Sequence, residues 1–142
     1  MTDYTALLDQ LVDGTLDAGA FRHVDHIGVA YQALTRHGYF DALHIVAAGI
    51  DRAATRAGAT DKFNATITAA FMSLIAERMG QGTYRNAQDF INRNPDLATG
   101  APLKSLYSRA RLASDQARRV ALMPDLVGVV ERFESRATQG SA

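Results

Sequence analysis

Hydrophobic residues recur every three to four positions along most of this 142-residue chain, which is the spacing of one face of an α-helix. No segment alternates apolar and polar residues over the length of a strand, and no Asn-Gly or Gly-Asn hairpin turn is present. The pattern predicts an all-α fold of about six to seven helices. No repeat or linker divides the chain, so we expect one compact domain over residues 1–136 and a flexible tail at 137–142.

The first three helices are predicted at residues 4–12, 22–36 and 40–56. Gly14 follows the first of them, and glycine accepts the left-handed backbone that often ends a helix. Gly49 in the third helix would permit a neighbouring helix to come close. The residues that we expect the third helix to bury are Phe40, Leu43, Ala47, Ile50 and Ala54.

The most apolar helix is predicted at residues 61–79. We expect it to be central, because apolar residues cover much of its circumference. Thr83 or Asn86 is a candidate N-cap for a shorter helix that carries Ala87, Phe90 and Ile91. Ser114 is a candidate cap for another helix, which would run to Leu122. A last helix is predicted at residues 126–136.

The composition narrows the range of partners. The 15 Lys and Arg residues balance the 15 Asp and Glu residues, which disfavours a nucleic-acid partner because phosphate backbones attract basic surfaces. The chain contains no cysteine, so disulfides, thiolate metal ligands and a cysteine nucleophile are excluded. No apolar run approaches the roughly 20 residues that span a bilayer, and the first residues do not resemble a signal peptide. We therefore expect a cytoplasmic protein with no membrane partner.

Two histidines at the start of the second helix are the first candidates for chemistry. His23 and His26 are three positions apart, so their side chains share a face that borders the buried side of the helix. Asp25 is expected to face away from that side. Two interpretations stay open: the pair acts together in a pocket, or one ring bonds a helix terminus or a buried carbonyl while the other lies in solvent.

A second polar cluster opens the 61–79 helix with Asn64, Thr66 and Thr68. These side chains either cap the helix and bond to its own carbonyls, or Asn64 points at the two imidazoles. We expect both helix starts to face one pocket. Near the other end of this helix, Glu77 and Arg78 are expected to form a solvated or structural pair.

Several short motifs occur in an order that resembles an uncharacterised family of small bacterial all-helical proteins. Members of that family share a Phe-x-His-x-x-His helix start, a Tyr-His-x-Thr-x-Thr helix and a C-terminal Leu-x-Ser-x-x-Ala-Arg motif. The first motif occupies residues 21–26 here, and the second reads Phe63-Asn64-Ala65-Thr66-Ile67-Thr68. The later motifs are Asn94-Pro95-Asp96-Leu97, Tyr107-Ser108, Leu112-Ala113-Ser114-Asp115-Gln116-Ala117-Arg118 and Pro124-Asp125.

The resemblance implies a three-histidine metal site with two ligands from the first motif and one from the second. This chain has Asn64 where the third histidine would stand and Phe63 where a tyrosine would stand. An amide oxygen replaces imidazole poorly as a ligand for zinc or copper. We therefore expect the pocket to persist without a tightly bound metal or other cofactor, although weak divalent metal binding by His23 and His26 is compatible with the pattern.

The leading functional hypothesis is a small-molecule enzyme with a pocket between the 22–37 and 61–79 helices. His23 and His26 would be its acid–base groups, because histidine titrates close to neutral pH. The residues expected to bind the substrate are Asn64, Thr68, Tyr31 and Phe71. One alternative is a non-catalytic protein that binds a small molecule in the same apolar pocket. Another is a structural or oligomerising helical domain, for which a homodimer is possible.

Overall fold

Every regular element in the part of the chain that the structure describes is helical. The structure, a computed structural model, describes residues 1–126. The α-helices of this range are α1 (Tyr4–Asp13), α2 (His23–Arg36), α3 (Tyr39–Arg56), α4 (Ala65–Gln81), α5 (Ala87–Arg93), α6 (Ala101–Lys104), α7 (Arg109–Leu112) and α8 (Asp115–Arg119). Two 3₁₀ turns, Ala18–Ala20 and Pro95–Ala98, join them. The all-α prediction is confirmed.

The C-terminal part of the described range holds more helices than predicted. The total for this range exceeds the six to seven expected, because the chain after the second 3₁₀ turn folds as three short helices. The predicted last helix at 126–136 and the tail at 137–142 lie beyond Leu126, outside the described residues. No helix among residues 1–126 has the length and apolar character needed to cross a membrane.

The ends of the helices follow local signals. Helix α1 ends at Gly14, whose φ of 83° is in the left-handed region. Of the two candidate caps for α5, Asn86 is the one whose side chain bonds to the helix. Ser114 caps α8 as predicted, but α8 ends at Arg119 and not at Leu122. Helix α4 begins at Ala65 and not near residue 61, because Asn64 has an extended backbone and its side chain accepts a hydrogen bond from the Ile67 N–H.

The centre of the fold is α2. The prediction that the 61–79 helix is central was therefore wrong. Helix α2 packs against α1, α3, α4 and α5. Seven of its residues are buried, against three of α4. Four apolar residues of α4 line a cavity, and two of them, Ile67 and Phe71, stay partly exposed there. Most of the buried apolar side chains of the described range form one cluster around α2, and Leu103, Tyr107 and Ala117 are buried outside it.

Helix α1 lies unusually close to α2 and α3 at two glycines. A Cβ atom added to Gly28 of α2 would lie closer than 3.0 Å to three atoms of the Tyr4 ring. One added to Gly49 of α3 would lie 2.5 Å from Cγ of Leu11. The close approach expected at Gly49 is present, and Gly28 makes a second one.

The buried face of α3 differs from the predicted one. Phe40 is 81% exposed, so the prediction that α3 buries it was wrong. The face that α3 buries is formed by Ala42, Val46, Gly49 and Ala53. These residues are small, and a face of small residues lets α1 and α2 approach the helix axis closely. The larger side chains of α3 then lie at the edges of the contact.

Candidate functional site

A cavity of about 170 Å³ lies between α2, α3 and α4. Nine apolar and five polar side chains line it. An engineered protein cavity of about 150 Å³ is large enough for benzene, so this one has room for a single ring or a short branched chain. The polar lining residues are His23, His26, Lys62, Asn64 and Thr68.

The structure brings five of the six predicted site residues to this one cavity. The two histidines reach it from the start of α2, and Asn64, Thr68 and Phe71 reach it from the start of α4. Tyr31 is not brought there. It is buried on another side of α2, where its ring centroid lies 5.3 Å from that of Phe90 in α5.

His23 is held by a backbone carbonyl. Its Nε2 lies 3.2 Å from the oxygen of Leu97. Because a carbonyl oxygen only accepts hydrogen bonds, this contact assigns the ring proton to Nε2 and leaves Nδ1 of the neutral ring as an acceptor. The ring also contacts Phe71 edge-on, with centroids 5.4 Å apart. The ring therefore bonds a carbonyl and lines the cavity at the same time.

His26 is the more buried of the two imidazoles. Its ring stacks on Phe21 with centroids 4.4 Å apart and an angle of 12° between the planes. Burial, together with the neighbouring His23, lowers the pKa of His26 to about 4, and the opposing effect of Asp25 is smaller. His26 is therefore neutral at pH 7, with one ring nitrogen as donor and the other as acceptor.

The lowered pKa of His26 predicts a pH-dependent loss of stability. The pKa falls from 6.5 in the unfolded chain to about 4 in the folded protein, so below pH 6.5 the unfolded state takes up a proton that the folded state does not. Stability should therefore decrease from about pH 6.5 towards pH 4. We expect a decrease of about 2 kcal/mol, discounted because the ring is only half-buried.

Urea unfolding of wild type and His26→Gln between about pH 7 and pH 4.5 measures this effect. The variant should show a flatter dependence over that range. His44→Gln is the matched control, because His44 is exposed on α3 and does not line the cavity. Equal slopes in wild type and His26→Gln would contradict the prediction.

Asp25 is buried, so the prediction that it faces away from the buried side was wrong. Its carboxylate accepts hydrogen bonds from the backbone N–H and the guanidinium of Arg22 and from the hydroxyl of Tyr4. Burial raises the pKa of this carboxyl, but the bonds from Arg22 outweigh it and the net shift is downward. Helix α1 packs on this side of α2. The periodicity of α2 alone did not show that covering helix.

Both ends of the Asn64 amide are bonded to the backbone. Its oxygen accepts from the N–H of Ile67 at 2.9 Å, and its nitrogen donates to the carbonyl of Leu112 at 2.8 Å. The capping interpretation therefore describes Asn64. The Thr68 hydroxyl, by contrast, forms no hydrogen bond within residues 1–126, although it lines the cavity. Thr66 is buried and bonds the backbone of the 120–122 segment.

The three-ligand metal site implied by the family resemblance does not fit these residues. The amide of Asn64 is already engaged. The ring centroids of His23 and His26 are 6.2 Å apart, whereas two imidazoles on one tetrahedral zinc would have centroids about 5 Å apart. No group of three His, Cys, Asp or Glu side chains in the described range is placed to share a metal ion.

Some site residues were not predicted from the sequence. Val46 and Ile50 of α3 line the cavity, but no local signal separates them from ordinary core residues. The Leu97 carbonyl, which bonds His23, was not predicted either. It belongs to the Asn94-Pro95-Asp96-Leu97 motif, and the presence of that motif was the only indication in the sequence that this segment has a role.

Comparisons with protein-family models, with curated proteins and with solved structures give no match to this chain. The resemblance to the small bacterial helical family therefore stays a prediction.

Proposed function

We propose that this chain is an enzyme that binds a small, largely apolar molecule between α2 and α4 and moves a proton on it through His23 and His26. One observation carries the proposal: two imidazoles with ring centroids 6.2 Å apart border a mostly apolar cavity of about 170 Å³. Apolar pockets with a few converging polar groups are the usual form of small-molecule sites. Perturbed titration inside such a pocket is typical of acid–base groups.

His23 is the proposed base. The contact between its Nε2 and Leu97 leaves the lone pair of Nδ1 available to accept a proton. In the reaction class that we propose, Nδ1 takes a proton from a carbon next to a carbonyl group, and the electron pair of the broken C–H bond moves towards the carbonyl oxygen. Return of the proton to the same or a neighbouring atom completes the cycle. No other reactant is needed.

His26 and Thr68 are the proposed partners of the carbonyl oxygen. A neutral His26 ring offers one N–H donor, and the Thr68 hydroxyl offers another. Donors that are already placed where negative charge develops stabilise that charge in the transition state. Lys62 is the one charged residue of the cavity lining as far as the structure describes it, and it favours neutral or anionic substrates over cationic ones.

Exchange of a carbon-bound proton in simple carbonyl compounds tests this proposal. Cyclohexanone, phenylacetaldehyde and isovaleraldehyde in D₂O are suitable probes, with loss of the α-proton signal followed by NMR. Wild type should accelerate exchange of at least one of them. His23→Gln should reduce the enzymatic rate by about 10²–10⁴-fold, whereas His44→Gln should leave it unchanged. Wild type that binds a probe without accelerating its exchange would contradict the enzyme proposal.

A non-catalytic binding protein is the second candidate. It is favoured by Asn64, since an amide whose oxygen and nitrogen both bond the backbone is less available to orient a substrate. A binder should show a ligand-dependent rise in melting temperature with the same probes and no proton exchange. Phe71→Ala should remove that rise, because the ring of Phe71 forms part of the cavity wall, whereas His23→Gln should largely retain it.

A further inference from the structure

The Asn94-Pro95-Asp96-Leu97 segment supplies no reacting group to the proposed reaction, yet its Leu97 carbonyl bonds the proposed base. Its last three residues begin the 3₁₀ turn Pro95–Ala98. The Leu97 side chain is fully buried. The Leu97 carbonyl is not used by the backbone hydrogen bonds of the described range and accepts its bond from His23 Nε2.

Arg78 of α4 forms an ion pair with this turn. Its two terminal nitrogens donate to the two carboxylate oxygens of Asp96, each at 2.6 Å. One of them also lies 3.2 Å from the amide oxygen of Asn94. Such a bidentate ion pair fixes both the distance between the two groups and their relative orientation. The predicted pair between Glu77 and Arg78 was therefore wrong, since Arg78 pairs with Asp96 across a tertiary contact.

The turn needs such an anchor. Short 3₁₀ turns have poor internal hydrogen-bond geometry, and this one spans only four residues. Burial of the Leu97 side chain fixes the depth of the turn, but the direction of the Leu97 carbonyl depends on the peptide planes around it. Asp96 immediately precedes Leu97, so the ion pair that holds Asp96 also restrains the direction of the Leu97 carbonyl.

We propose that Arg78 and Asp96 are positioning residues for His23, acting through the Leu97 carbonyl that bonds its Nε2. The catalytic meaning of this role rests on the proposed function, whereas the positioning itself does not. Helix α4 then holds the imidazole from two sides. Phe71 contacts the ring edge-on, and Arg78, seven residues further along the same face of α4, holds the turn that supplies the carbonyl.

The imidazole nitrogens of His23 report on this arrangement directly. Long-range ¹H–¹⁵N correlation at a pH where the ring is neutral distinguishes the protonated nitrogen from the other one. In wild type, His23 should show one tautomer and widely separated ¹⁵N shifts. In Asp96→Asn and Arg78→Gln, both tautomers of His23 should become populated. Exchange between them should then narrow the difference between the ¹⁵N shifts of the two ring nitrogens.

Asp9→Asn is the matched control. It removes the exposed ion pair between Arg36 and Asp9, which lies at 3.2 Å and makes no contact with the turn. The His23 shifts should be unchanged in this variant, even if it loses a similar amount of stability. Asp96 is about half exposed, so Asp96→Asn carries the test should Arg78→Gln fail to fold.

An unchanged ¹⁵N separation in folded Asp96→Asn would overturn the positioning role, as would an equal narrowing in Asp9→Asn. The measurement uses no substrate. Absence of proton exchange in wild type would therefore reject the enzyme proposal and leave this result standing, while an unchanged separation would reject the positioning role alone.

Discussion

Replacing Phe90 with alanine is expected to lower the free energy of unfolding by about 3–5 kcal/mol. The side chain is fully buried in α5. Its ring centroid lies 5.3 Å from that of Tyr31 and 4.8 Å from that of Tyr84. Truncation removes both aromatic contacts and leaves a cavity between α5 and the central helix α2, which pack against each other.

Phe40→Ala is the matched control for this loss. The same atoms are removed, but Phe40 is 81% exposed at the start of α3, and we expect a change of less than about 0.5 kcal/mol. Urea midpoints of the two variants, interpreted with a common slope, measure the difference. Comparable losses in both would show that α5 is not part of the core or that Phe40 is covered.

The contrast between these two phenylalanines shows where the sequence was informative. The prediction of a short helix that carries Phe90 rests on a candidate cap at Thr83 or Asn86 and on a short periodic segment. The helix is present with Asn86 as its cap, and Phe90 is buried. For α3 the sequence pattern favoured a stripe of mostly larger side chains that includes Phe40, whereas the structure buries a stripe of smaller ones. Ala42 and Gly49 belong to the buried stripe, and their small size lets the helix axes come close. Hydrophobicity by itself does not show that preference.

For the candidate site, the sequence predicted the convergence of two helix starts but not the partners of individual side chains. His23 and Asn64 were expected to face one pocket, and both line it. Their hydrogen bonds, however, go to the carbonyls of Leu97 and Leu112, which are 74 and 48 residues away along the chain. Backbone groups brought close by tertiary folding have no signature in the pattern of side chains.

Gly28→Ala is expected to lower the free energy of unfolding by about 3 kcal/mol, because overpacking of a tight contact forces neighbours to move. The added Cβ would overlap the ring of Tyr4, which is itself buried. Moving that ring also strains the hydrogen bond from the Tyr4 hydroxyl to Asp25, which is 3.4 Å long. The buried carboxylate would then lose one of its partners.

Gly80→Ala serves as the control within another helix. A Cβ at Gly80, near the end of α4, meets nothing within 4 Å. Alanine has the higher helix propensity, so this variant should gain up to about 0.5 kcal/mol. Thermal and urea unfolding of both variants would test the pair. A Gly28→Ala protein as stable as wild type would mean that α1 does not lie against α2 at Tyr4, and the burial of Asp25 beneath α1 would then also be in error.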